Sequence, residues 1–243
     1  MTLTQSLRFC LKLLPCFFLL AGCKSFSENA KYELNNGYYK AREEEGDDHR
    51  VYVYTNEDTL VAYRLVQQEG NRLIDTTGRA ALVFPATNRG AIPTTYTLHE
   101  YSFDLDVLAI PMKYRPETAG VPRQLNTQFN GAIYAGYRTD RYRISYEPTP
   151  LGIADREINH YGYSVGYFTG IGVEPINPWV THDLYAGEYD GIAWMNGVAV
   201  MIGINSFTFG LGVGIDQLLD ANRNIWIYQG KPWLGLTLGL NLN

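Results

Sequence analysis

Residues 206–215 alternate without a break between two kinds of side chain. Phe207, Phe209, Leu211, Val213 and Ile215 are large and apolar; Ser206, Thr208, Gly210, Gly212 and Gly214 between them are small or polar. Strict period two predicts a strand with one apolar face and one face restricted in size. Residues 191–215 hold no Asp, Glu, Lys or Arg, which satisfies the length of a membrane helix. The period rejects that helix.

The same pattern recurs along the second half of the chain. Leu234, Leu236, Leu238 and Leu240 alternate with Trp233, Gly235, Thr237 and Gly239. Tyr161, Tyr163, Val165, Tyr167, Ile171 and Val173 alternate with a set containing Gly162, Ser164, Gly166, Gly170 and Gly172. Of 24 glycines, 17 lie in residues 127–243. Strands are expected near 101–114, 127–138, 140–147, 158–174, 189–204, 206–216 and 231–242. The apolar phase flips at Thr139-Asp140, which predicts a tight turn there. An eighth strand is expected from residues 51–100, since antiparallel barrels close with even counts.

A two-faced strand must bury its apolar face. The solutions are a soluble lipid-binding barrel, a periplasmic sandwich, or a membrane barrel with apolar residues outside. An exposed strand face is normally built from Thr, Lys, Glu and Gln, whereas this second face is Gly, Ala, Ser and Thr. Small residues suit the crowded interior of a narrow barrel. The expectation is therefore an all-β fold: an antiparallel up-and-down membrane barrel of about eight strands over residues 100–243. Eight strands fill their interior with side chains and leave no open pore.

Residues 23–99 are polar and form a small β subdomain or linker in this reading. Val51-Tyr52-Val53-Tyr54 and Leu60 to Leu65 predict a hairpin around residues 55–58, and Ala81-Leu82-Val83-Phe84 a short strand. The acidic run from Glu43 to Asp48 is expected to be a solvated loop.

Residues 1–22 have the parts of a secretory signal: basic Arg8 and Lys12, then an apolar run too short to span a bilayer. It ends in Leu20-Ala21-Gly22-Cys23, which resembles a bacterial lipobox. That resemblance implies cleavage before Cys23, acylation of Cys23 by palmitate-type chains, and, with Lys24 following, sorting to the outer membrane. The chain's 3 cysteines are Cys10, Cys16 and Cys23. None would remain for a disulfide or a zinc–thiolate site. Residues 100–243, by their alternation, resemble small outer-membrane barrels of the OmpA/OmpX type.

Catalytic candidates are sparse. His160 and Ser164 share a strand face, but four residues on a strand span roughly 13 Å, too far for a direct hydrogen bond. A lipid-modifying enzyme of the outer membrane is thus the alternative, as is a barrel that binds a lipid or other hydrophobic ligand. The expected interior polar network is Asp104, Asp106, Arg141, Arg143, Glu147 and His160, because charges inside a barrel must pair. No cofactor or metal motif is present. A net charge of −5 argues against nucleic acid. The expected partners are outer-membrane lipid and a protein engaged through loops or the N-terminal subdomain. The expected role is structural or interactive.

Overall fold

The alternating segments fold into long antiparallel strands. The computed structural model describes residues 33–43, 47–56, 58–68, 71–76, 81–89, 95–205 and 207–241. The signal segment, Cys23 and Glu44-Glu45-Gly46 of the acidic run lie outside the described residues. In chain order the strands are β1 (Gly37–Glu43), β2 (His49–Asn56), β3 (Thr59–Gln68), β4 (Asn71–Ile74), β5 (Ala81–Phe84), β6 (Thr87–Asn88), β7 (Tyr96–Arg115), β8 (Gln124–Asn126), β9 (Asn130–Pro148), β10 (Ala154–Ile176), β11 (Tyr189–Ile204), β12 (Phe207–Leu218) and β13 (Pro232–Asn241). Two 3-10 turns, Trp179–Thr181 and Ala221–Asn224, are the only helical elements among the described residues.

Pairing runs β13-β12-β11-β10-β9-β7, and β13 also pairs β7, so these six strands form a closed circuit. The expected count was eight. The circuit has six because one strand, β9, stands where two are expected in residues 127–147, and because β1, β2 and β3 pair elsewhere. The circuit closes where Leu240 meets Val107 and Leu234 meets Tyr114. A register shift between Leu236 and Leu238 moves the inward phase of β7 from Leu108 and Ile110 to Lys113 and Arg115.

A second run of pairings shares three of these strands. The start of β7 pairs β1, then β2 and β3 follow; β3 pairs β5, and the same stretch of chain passes through Pro85 to β6, which pairs the start of β10. This N-terminal lobe has an apolar core of Tyr39, Val51, Val53, Leu60, Phe84 and Leu98, with Tyr142, Ile144, Tyr146 and Ala154 from β9 and β10. Its core is therefore not confined to residues 23–99.

The turn expected at Thr139-Asp140 is absent; β9 runs straight through it. Even-numbered residues point inward along its whole length. Above residue 140 the outward residues include Ile133 and Tyr137; below it they are Arg141, Arg143 and Glu147, while Tyr142, Ile144 and Tyr146 are buried. The phase flip in the sequence marks a change in what the strand's two faces meet, not a reversal of the chain.

Candidate functional site

Inside the six-strand circuit the small residues face one another and a few large ones fill the centre. Leu108, Tyr134, Phe168, Met195, Met201 and Trp233 are all buried there. The glycines are required by close approach. A Cβ on Gly170 would fall against the Gly131 carbonyl and the Ala132 Cα, and one on Gly197 against the Val213 carbonyl and the Phe168 ring.

Charged groups lie at both ends of this interior. At the end away from the lobe, Lys113 Nζ is 2.8 Å from Glu174 and 3.0 Å from Asp216. Arg115 contacts both carboxylates. Trp233 donates its indole N–H to Asp216 at 2.8 Å, and Lys113 Nζ stands 4.9 Å from the Trp233 ring centre. The Arg115 guanidinium stacks at 4.8 Å over Tyr228. Above it the loops bring Val180, Trp226 and Ile227 together with Ile176 and Leu218 as an apolar cap. All four ions are paired, as desolvation demands. Sequence reading missed this cluster. The available signal was phase: Glu174 continues the inward series of Gly170 and Gly172, and Asp216 that of Gly212 and Gly214. Lys113 and Arg115 were hidden by the register shift.

At the lobe end, Arg138 Nε donates to Asp140 at 2.8 Å, and His160 Nε2 lies 2.6 Å from the same carboxylate. The Tyr142 ring stacks on His160 with centroids 4.7 Å apart, dividing the polar interior from the apolar lobe core. Ser164 hydrogen bonds to Tyr134 at 2.7 Å, so Ser164 and His160 serve different partners and do not form a nucleophile–base couple.

Of the six residues expected to form one interior network, Asp104, Asp106 and His160 are buried within the circuit. Arg141, Arg143 and Glu147 are not; they stand on the exposed outer face of the lobe. The reason is the continuity of β9. Without a turn, odd-numbered residues stay outside, and below residue 140 that outer face is polar.

The outer face of the circuit is the other candidate surface. On β10 the outward residues from Tyr161 to Val173 are apolar or aromatic apart from Thr169. Val165, Val198, Val200 and Leu211 are each more than half exposed. The one polar group among them is self-contained: Trp194 donates to Thr169 at 2.9 Å, and Thr169 and Tyr167 donate to Asn196. No helix among the described residues is long and apolar enough to cross a membrane, which leaves strands untouched by that criterion. Asp48, from the acidic run, is paired to Arg42 at 2.6 Å.

Comparison with protein-family models, curated proteins and solved structures gave no match.

Proposed function

We propose that the chain is an integral outer-membrane protein, anchored also by lipid at Cys23. Its six-strand circuit is read as a small, side-chain-filled membrane barrel that holds the N-terminal lobe against the periplasmic side of the bilayer. Its role is structural or interactive, without conduction. The observation that carries this is the inverted polarity of the circuit. Charged residues are buried and paired inside it, while a continuous belt of Val, Ile, Leu, Phe and Tyr faces outward.

Length supports the reading. The outward apolar series on β10, residues 161–173, spans about 40 Å along the strand at ~3.3 Å per residue, or roughly 28 Å at a 45° tilt. That is close to the ~25 Å apolar band of membrane barrels. Orientation follows from loop length. The β11–β12 connection at Asn205 is short and lies on the lobe side, whereas residues 177–188 and 219–231 form the long loops opposite. Short turns in such barrels face the periplasm.

The test is fractionation in a Gram-negative host. The wild-type chain and Cys23→Ala should both stay in the outer membrane after alkaline carbonate washing. Both should migrate faster on gels unless boiled. Release of Cys23→Ala into the soluble periplasm would refute the integral reading.

A further inference from the structure

The outer face of the lobe carries a feature that an overall charge of −5 conceals. Pairing sets Arg50 beside Lys40, Lys40 beside His99, His99 beside Arg141, and Arg141 beside Tyr161. All five point outward. The row below runs from the Arg42–Asp48 pair through Thr97 to Arg143 by the same registers. Adjacent strands are about 4.8 Å apart, so Lys40, His99 and Arg141 fall within roughly 10 Å of one another. Among the described residues, no carboxylate lies within ion-pair distance of Lys40, Arg50 or Arg141.

The row borders a cleft. β1 leaves the edge of β7 above His99, and β13 joins that edge only from Asp106. Residues 100–105 of β7 have no strand partner on that side among the described residues. A cavity of ≈ 390 Å³ opens there, lined by Tyr38, Lys40, Arg50, His99, Glu100 and Tyr101. Lys40 Nζ stands 5.3 Å from the Tyr101 ring centre. Glu100 takes the inner wall beside Tyr39, whose hydroxyl donates to the Asn35 carbonyl at 2.9 Å. Above the cations, Tyr101 and Phe103 are exposed and begin the apolar outer belt.

We infer that this cleft binds the headgroup of an anionic phospholipid, an inference that rests on the membrane reading above. Lys40, Arg50 and Arg141 face the phosphodiester, with His99 between them, while the acyl chains lie along Tyr101 and Phe103. A free phosphate ester would use the cations and leave the apolar wall idle; a lipid uses both. The row also stands at the level where headgroups must lie, because Tyr161, beside Arg141, is the first residue of the outward apolar series.

The test uses the full chain in neutral detergent, with bound lipid read by native mass spectrometry against phosphatidylglycerol and phosphatidylcholine. Wild type should prefer phosphatidylglycerol. The variant Lys40→Gln/Arg50→Gln/Arg141→Gln should lose that preference by about fivefold per cation, roughly a hundredfold in all. Lys40→Arg should keep it, and so should Arg123→Gln/Arg223→Gln/Lys231→Gln, which removes equal charge at the far end. An unchanged preference in the first triple variant overturns the site. Displacement of lipid by soluble glycerophosphate at equal concentration overturns the lipid assignment in favour of a free phosphate ester. Carbonate-resistant retention of each variant in membranes is scored separately. Retention with unchanged preference sinks the cleft alone; loss of retention in the wild type sinks the membrane reading.

Discussion

Val165 and Asn159 sit on the same outward face of β10, six residues apart, and receive opposite expectations. Val165 is 59% exposed. It lies four residues beyond Tyr161, about 13 Å along the strand and roughly 9 Å in height at a 45° tilt. That places it well inside the apolar belt. Arginine near the middle of a membrane barrel's lipid face costs about 2–4 kcal/mol. Asn159 lies on the lobe's polar outer face, where its side chain donates to Glu157 at 3.1 Å, and arginine there, opposite Arg143, should cost no more than about 1 kcal/mol. The assay is urea unfolding in phospholipid vesicles, followed by tryptophan fluorescence, with Val165→Arg and Asn159→Arg compared at equal slope. A water-facing β10 predicts the reverse for Val165: an exposed valine exchanged for arginine should change little. Equal, small effects at both positions would refute the lipid-facing assignment and with it the inverted polarity.

Asp216→Asn leaves Lys113 and Arg115 with Glu174 alone. Destabilisation of about 3–5 kcal/mol is expected by the same unfolding measurement, and the double variant Asp216→Leu/Lys113→Met should recover part of it. Gly170→Ala drives a methyl into the neighbouring backbone. The fast-migrating folded form on unboiled gels should fall sharply, at a cost of about 1–3 kcal/mol, whereas full retention would show that the interior is wider than its glycines imply. His99 is held below its ordinary pKa, first by burial and next by Arg141, with Lys40 and Arg42 of β1 adding to this and Asp48, just before β2, opposing it. The folded lobe therefore prefers the neutral ring. Its stabilising effect is complete above the unfolded pKa of about 6.5 and is lost as pH falls through the lower folded value. The urea midpoint should drop over that window, and His99→Gln should flatten the drop.

The alternation in residues 206–215 made β12 and its inward and outward faces legible, because nothing interrupts the period. The same rule misled at Thr139-Asp140. A period of two identifies two faces but not the medium each one meets, and on β9 the medium changes while the backbone continues. Arg141, Arg143 and Glu147 were assigned to an interior on that account. Asp104, Asp106 and His160 were legible as inward groups because they lie within uninterrupted phases of β7 and β10. Lys113 and Arg115 were not, since the register shift belongs to the pairing with β13 and its one mark in β7 is Pro111, which lies at the irregularity. The basic row was illegible for a similar reason. Lys40, Arg50, His99 and Arg141 come from four strands, and only cross-strand register brings them level.

Three strands, β7, β9 and β10, cross from one core to the other without a break, each contributing side chains to both. Each core is thus built in part from strands that also build the other. On the proposed membrane reading, a chain whose circuit has not yet formed would hold β1, β2 and β3 without the ordered Tyr142, Ile144 and Tyr146 side that they pack against. If the circuit inserts as proposed, maturation of the lobe is thereby tied to insertion. On that reading, whatever the lobe displays would be displayed only by inserted molecules.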